Sequence, residues 1–505
     1  MIQKYPVGIQ SFREARIGNY VYVDKTMYIE TMLNQGKYYF LSRPRRFGKS
    51  MFISTLEAFF KGEKELFKDL YIDNRWDWQQ TYPVIKISFS NIGHNSIGLR
   101  NAIDGVLETT AKNYNISLTL TGIDSKFREL IEKLSSTYGQ FVVLIDENDK
   151  PIIDFLGKDI VKAIENRDIM KVFYSILKDA DPYLKLVFIT GVSKFARVSI
   201  FSDLNNITDI TTDKFFPAIC GISQDELEQY FVKELEIYSK EKIKKWYNGY
   251  TWDLKTSVYN PFSLLHFFRS GEFRNIWFES GTPTFLINLS RDAKMYDFEN
   301  IEISANQLSS YDIEKLQIIP LMFQTGYLTL KSYDEEAGLY TLNYPNEEVR
   351  QSYLEVLVDS YTQNEVDLGR PLAVNLRNTL RVNNLEKLQY IFNSLFKGLP
   401  YTLWQKDSEY LYHAIIHLTF RLLGIFVESE VQTSDGRMDA LVKIDNYIYC
   451  FEFKLDGSAE QALTQIKDKG YLTPYLNQGK KCIAIGINFS SETKKIERVL
   501  WEEID

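Results

Sequence analysis

The chain has 505 residues, 45% of them hydrophobic and 25% charged, with 33 Tyr and 33 Phe. This is the composition of a folded protein, and the length exceeds one ordinary hydrophobic core, so roughly two to four domains are expected. A net charge of -8 excludes a polycation that coats nucleic acid, though it leaves room for a nuclease with local basic patches or metal ions.

No run approaches the roughly 18 apolar residues of a membrane span, and MIQKYPVGIQSF lacks the apolar core of a signal peptide, so a cytoplasmic protein is expected. Cys220, Cys450 and Cys482 lie in or beside apolar runs, as buried thiols of a reducing compartment would. Four histidines and no close cysteine pair argue against structural zinc.

The first 37 residues are a lead-in. Tyr20-Val21-Tyr22-Val23 alternates as a short strand would, and Asp24 or Thr26 is placed to cap a helix carrying Ile29, Met32 and Leu33. Apolar residues in this region, ahead of a phosphate loop, are candidates for an adenine pocket. Tyr38 to Leu41 then reads as a buried strand, and Met51, Phe52, Ile53, Leu56, Phe59 and Phe60 have the spacing of an amphipathic helix.

The loop between them nearly fits G-x-x-x-x-G-K-[ST]: Gly48-Lys49-Ser50 are in place, and Arg43 stands where the first glycine belongs. Such a loop offers backbone N–H groups at a helix N-terminus, Lys49 as a point charge for the β- and γ-phosphates, and the Ser50 hydroxyl for Mg²⁺. Arg43, Arg45 and Arg46 add positive charge.

Pro83 to Phe89 alternates as a second strand, and helical spacing covers about 96–112 and 124–136. Phe141 to Ile145 is five consecutive apolar residues, as in a strand buried on both faces of a parallel sheet. Asp146 and Glu147 follow at its C-terminal end, where such sheets bind ligands. Asp146 is expected to reach a Mg²⁺ shell and Glu147 to polarise the water attacking a γ-phosphate. A charged turn closing a strand is common, so the weight comes from the lysine loop before and the acidic pair after. A third buried strand, Leu184 to Ile189, ends at Thr190-Gly191-Val192-Ser193. Thr190 and Ser193 are candidates to sense the γ-phosphate or orient water, and Lys194 and Arg197 to neutralise phosphate charge.

Ser223-Gln224-Asp225-Glu226 is a capping box opening a helical subdomain. A charged helix is expected over Glu236 to Lys245 with its lysines in solvent, then an aromatic turn over 246–253, and a helix starting at Asn260-Pro261. Ile318 to Met322 followed by alternation at Tyr327 to Leu330 and Leu339 to Leu342 is a helix and hairpin, the minimal winged-helix pattern. Its acidic Asp334-Glu335-Glu336 turn argues against insertion into a DNA groove. Helices over 346–361 and 372–396 are expected to bridge to a last domain.

From about residue 400 the pattern is again α/β. A helix opens at Ser408, strands are expected over 424–430 and 439–444, and Asn446 to Lys454 gives a turn and strand. Alternation puts Glu452 and Lys454 on one face. If hairpin pairing sets Asp439 beside Glu452, the carboxylates form a hard oxygen site suited to Mg²⁺ or Mn²⁺. Lys454 would then position water and stabilise charge, and Glu409 would complete the metal shell. Gln461 and Gln465, four apart on one helical face, are candidates to hold water or a nucleic-acid backbone. The competing reading is a surface salt bridge, Glu452 to Lys454 or Asp439 to Arg437, contributing about 0–1 kcal/mol.

Taken together, VGIQSFREAR, YVYVDKT, FLSRPRRFGKS, VVLIDENDKPI, FITGVSKFA, FSDLNNITD and WYNGY, then GRMDALV and FEFKL, resemble one bacterial and archaeal architecture. It joins an N-terminal AAA-ATPase-like domain to a C-terminal domain of the PD-(D/E)XK nuclease superfamily, and the resemblance spans nearly the whole chain. It implies an α/β fold with a P-loop NTPase parallel sheet, helical and winged-helix-like segments, and a C-terminal restriction-endonuclease-like domain. The segments are read as 1–222, 223–300, 301–345, 346–398 and 399–505.

The family's lysine loop is of the same RPRRFGKS type. The resemblance puts phosphate binding on Lys49 and Ser50, with Arg46 and Gly48 in the same loop, and metal and water activation on Asp146 and Glu147. For the nuclease it puts metal on Asp439 and Glu452, catalysis on Lys454, and support on Glu409 and Gln465. Asn148 departs from an IDEYDKP run in which relatives often carry an aromatic. The implied cofactors are ATP and Mg²⁺, with Mn²⁺ an alternative at the nuclease site. The implied partner beyond ATP is DNA or RNA, with a homo-oligomer left open and no membrane. The expected function is an ATP-binding and hydrolysing, metal-dependent phosphodiesterase under ATP control. The alternative is an ATP-dependent switch or scaffold whose C-terminal domain binds without cleaving.

Overall fold

The computed structural model describes residues 4–193, 204, 206–279, 284–308, 317–361, 369–397, 399, 408–424, 428–431 and 439–504. At 278–279, 284, 369, 408–410, 413 and 428–431 it describes the backbone alone. The chain divides into two compact units, one made of Met1–Phe285 with Phe298–Val349, the other of Leu286–Asp297 with Arg350–Asp505.

The first unit is built on a parallel sheet of β1 (Tyr38–Ser42), β2 (Val84–Ser88), β3 (Phe141–Asp146), β4 (Leu184–Gly191) and β5 (Thr208–Asp209), in the order β2-β3-β4-β1-β5. Every residue of β1 and β3 is buried, which is why those segments read as unbroken apolar runs. β2 lies at an edge and exposes Lys86, whose ammonium pairs with Glu57 at 2.7 Å. The register sets Ser42 beside Gly191 and Ile145 beside Ile189. The loops leaving β1 and β3 therefore flank the end of β4, and the lysine loop and acidic pair meet there.

Elsewhere in this unit the structure corrects the sequence reading. Tyr20 to Val23 is extended but forms no strand, since Tyr20 makes only an isolated bridge with Lys4. Thr26 precedes the helix Met27–Gln35 without a side-chain cap, and Asp24 Oδ1 instead accepts from the Thr26 N–H and hydroxyl. The expected charged helix splits into Val232–Ile237 and Lys240–Tyr247, because Ser239 caps the second piece by accepting from the Lys242 N–H. The capping box at Ser223 and Glu226 forms, beside a short ladder of β6 (Ile222–Ser223) and β7 (Val258–Tyr259).

The hairpin of β9 (Thr329–Asp334) and β10 (Leu339–Asn343) gains a third strand absent from the sequence reading, β8 (Ile301–Ser304), in the order β8-β10-β9. At the acidic turn, Asp334 Oδ1 accepts from the Glu336 and Ala337 N–H groups. That carboxylate is thus engaged in closing the turn.

The second unit carries a mixed sheet of β11 (Glu428–Val431), β12 (Ala440–Ile444), β13 (Tyr447–Leu455), β14 (Lys481–Ser490) and β15 (Lys495–Ile504) in sequential order. Only β13 and β14 run parallel, and the helix Ala459–Asp468 makes the crossover between them. The helix expected over 372–396 is two, Gly369–Arg381 and Leu388–Lys397, broken where Asn383 takes a φ of 52°. Gln389 and Asn393 of the second helix contact the backbone of Ile496 and Glu497, covering part of the β15 edge. The three cysteines are buried and unpaired.

Gly486 on β14 faces the crossover helix so closely that a Cβ would lie 2.3 Å from the Ala459 carbonyl and 2.8 Å from the Leu463 nitrogen. A missing side chain thus lets helix backbone rest on strand backbone. Gly486→Ala is expected to destabilise this unit by about 1–3 kcal/mol, the cost of overpacking. A lowered denaturant midpoint checks this, and an unchanged midpoint contradicts it.

Candidate functional site

The loop after β1 begins with a departure from the glycine pattern. Arg43 is 1% exposed and points into the protein: Nη1 donates to the carbonyls of Ser42 and Thr211 at 2.9 and 2.8 Å. Its guanidinium lies 3.9 Å from the centre of the Trp252 ring. Arg43 was expected to add positive charge to the loop; it anchors the loop from inside and, unlike Arg45 and Arg46, lies outside the cavity lining. Arg46 does border the cavity, in a left-handed conformation with φ 68°, stacked 3.8 Å over Phe262.

Gly48 has a φ of 100°, and a Cβ there would meet nothing within 4 Å, so backbone conformation alone calls for glycine. It gives the helix Lys49–Phe60 no capping side chain, leaving first-turn N–H groups for a ligand. Lys49 Nζ, buried, donates to the carbonyls of Arg43 and Pro44 at 2.8 and 2.9 Å. Burial lowers the pKa of this ammonium, and Asp146 and Glu147 act in the opposite sense.

At the end of β3, Asp146 is buried and accepts the Thr190 hydroxyl at 2.6 Å. Glu147 borders the cavity with a φ of 53°, and burial raises its carboxyl above the usual range. Thr190 and Ser193, expected at the γ-phosphate, are fully buried and lie outside the cavity lining. Their hydroxyls donate to Asp146 and Asp149, so they orient carboxylates. Asp149 is the acid the sequence reading passed over: it borders the same cavity, and its partners lie 43 and 44 residues away. Lys194 and Arg197 lie outside the described residues.

The cavity measures about 620 Å³, a volume suited to a nucleotide-sized ligand. Gly48, Lys49, Ser50, Glu147 and Asp149 border it together with an apolar wall that includes Val7, Val21, Val23, Phe231 and Leu265. The unpaired Tyr20 to Val23 stretch thus contributes wall where a strand had been expected. Lys25 joins this wall, its ammonium 2.5 and 2.6 Å from the two carboxylate oxygens of Glu226, the capping-box acid. Their separation of 201 positions in the chain hid the pair from sequence reasoning.

In the second unit, continuing the Ala440 to Phe451 pairing by one residue sets Asp439 across from Glu452. Asp439 Oδ2 accepts from the Phe453 N–H at 2.7 Å. Lys454 Nζ donates to Glu452 Oε1 at 3.0 Å and to Gln465 Oε1 at 2.6 Å, so Gln465 does face the centre. Gln461 has its Oε1 engaged in a capping box, where it accepts from the Ser458 N–H. The side chains of Glu409 and Arg437 lie outside those described.

Glu452 is 2% exposed; among the described residues its Oε2 meets no donor at full hydrogen-bond geometry, the backbone N–H of Asp439 being the group that leans toward the carboxylate. Burial and the Asp439 charge push its carboxyl up to about 7, against the pull of Lys454. An orphaned, buried carboxylate oxygen beside a second carboxylate fits a hard divalent cation. Among the described residues no group of three or more His, Cys, Asp or Glu forms a fuller ligand set.

Two outcomes follow. Removing the Lys49 ammonium by Lys49→Ala is expected to cost about 1.5–3 kcal/mol of ATP affinity, roughly 10- to 100-fold in Kd, read by fluorescent-nucleotide titration. At Glu452 a proton and a cation compete, so Mn²⁺ affinity by calorimetry should rise with pH up to about 7 and level off above it. The same linkage makes this carboxyl's contribution to the metal-free fold complete only below its ordinary value of 4.5 and progressively lost as pH rises from there through about 7. Flat metal affinity from pH 5.5 to 8 would contradict the assignment.

Comparison with known proteins bears on both sites. Residues 6–201 match the family described as a predicted AAA-ATPase, and residues 407–499 match the PD-(D/E)XK nuclease superfamily. An uncharacterized protein in the vnfD 5′ region of Azotobacter chroococcum mcd 1 is 37% identical over 515 residues, covering 99% of each chain. No solved structure matches. The near full-length relative and the two family matches lead to one conclusion: the chain belongs to the family that couples an AAA-ATPase-like domain to a PD-(D/E)XK nuclease superfamily domain.

Proposed function

We propose that the protein binds and hydrolyses ATP in the first unit and cleaves nucleic-acid phosphodiesters in the second, with nucleotide state controlling cleavage. The observation that carries the ATPase reading is the convergence of Lys49, Ser50 and Glu147 on one cavity with an apolar wall. The base packs on that wall, the loop N–H groups and Lys49 hold the phosphates, and a Mg²⁺ ion would take the Ser50 hydroxyl from the cavity lining, with Asp146, buried outside that lining and bonded to Thr190, adding negative charge near Lys49. Glu147, raised by burial, is placed to accept a proton from attacking water.

The nuclease reading rests on the orphaned Glu452 Oε2 beside Asp439, with Lys454 fixed by Gln465. When bound there, a divalent ion would supply activated water and offset charge at the scissile phosphate. Lys454 adds a fixed positive charge beside the reacting phosphate, held in place before substrate arrives.

The test is cleavage of a panel of single- and double-stranded DNA and RNA with Mg²⁺ or Mn²⁺, with and without ATP. Cleavage lost in Glu452→Ala supports the nuclease, and cleavage that changes with ATP in wild type but not in Lys49→Ala supports control by nucleotide. ATP hydrolysis with no cleavage of any substrate would leave a nucleotide-driven switch or scaffold and overturn the nuclease reading.

A further inference from the structure

Glu147 holds a backbone conformation that side-chain-bearing residues seldom adopt, with φ 53°. A residue kept there beside a reaction centre needs neighbours that over-determine it. The neighbours on its C-terminal side are unusually constrained. The Asn148 N–H donates to the Thr190 carbonyl at 2.9 Å. Asp149, 1% exposed, takes three donors on Oδ2: the Val192 N–H at 2.9 Å, the Ser193 N–H at 2.5 Å and the Ser193 hydroxyl at 2.7 Å. The turn after β3 is thereby bound to the turn after β4 immediately past Glu147.

Gly191 makes the approach possible. A Cβ at that position would lie 2.4 Å from Asn148 Oδ1 and 3.2 Å from Asp149 Oδ1. No larger residue allows both side chains to rest against the β4 backbone. The two contacts on β4 are themselves fixed by the sheet, which pairs Ile145 with Ile189 and Ser42 with Gly191.

We infer that Asp149 is a positioning residue for Glu147, acting through a clamp made with Gly191, Val192 and Ser193. The inference rests on the ATPase reading above and assigns the part of the site that sets the geometry of the water-activating carboxylate. Asp149 does its work by holding one turn against another, so its loss should affect the chemical step much more than nucleotide binding, which depends on the lysine loop.

The test is Asp149→Asn, which keeps size and removes the charge that gathers three donors, with Ser193→Ala as a milder variant that keeps both backbone contacts. Expected are ATP Kd values within about threefold of wild type, and a kcat for hydrolysis lowered roughly 10- to 100-fold in Asp149→Asn and less in Ser193→Ala. If the clamp acts through Glu147, Asp149→Asn introduced into Glu147→Gln should change the residual rate by less than about twofold. Circular dichroism and thermal melting establish that the variants are folded; if Asp149→Asn is not, Ser193→Ala carries the same comparison. An unchanged kcat, a loss confined to Kd, or an undiminished effect in the Glu147→Gln background each overturns the assignment while leaving the ATPase reading standing. Wild-type protein that hydrolyses no nucleotide overturns both.

Discussion

The cavity of the first unit depends on solvating buried charge with the protein's own groups. An ion taken out of water is tolerated only where donors or acceptors replace its hydration. Lys49 rests on two loop carbonyls, Asp146 on the Thr190 hydroxyl, and Asp149 on two N–H groups and a hydroxyl. The Thr190 hydroxyl comes from the end of β4, and the others come from the loops just past β1 and β4. The parallel register is thus an electrostatic requirement as well as a packing one, since a slip between β3 and β4 would strand two carboxylates.

The C-terminal centre treats buried charge the other way. Among the described residues Glu452 has Lys454 on one oxygen and only the inclined Asp439 N–H near the carboxylate besides, while the Asp439 side chain adds like charge. Where the first unit spends backbone groups to satisfy its acids, the second leaves an acid only partly satisfied. Such a carboxyl keeps its proton to unusually high pH and exchanges it for a cation when one is offered. Similar residues thus sit in opposite electrostatic settings: Asp149 fully bonded in one unit, Glu452 only partly so in the other.

The fold was legible where burial writes directly into composition. The unbroken apolar runs of β1 and β3, with Leu186 to Ile189 of β4, marked central strands, and the alternation at 452–454 marked one face of β13. The reading failed where a residue's role is set by a partner distant in the chain. Nothing local to Thr190 or Ser193 shows that each hydroxyl turns toward a carboxylate some 44 residues earlier, and Lys25 gives no sign of Glu226. Breaks inside charged or apolar helices were missed for a related reason. Ser239 as a cap and Asn383 in a left-handed turn are single-residue signals that helical periodicity averages away.

Arg43 illustrates what that kind of non-local role means for reading motifs. A glycine at the head of a phosphate loop serves by offering freedom, whereas this arginine serves by filling a socket formed by Trp252 and the carbonyls of Ser42 and Thr211. The entry to the loop is rigid because it is bolted from behind. Replacing Arg43 with the consensus glycine would complete the pattern on paper while leaving an indole face bare and two buried carbonyls without that donor. In this chain the motif's first position belongs to the hydrophobic interior, and its residue type reports on what lies beneath the loop.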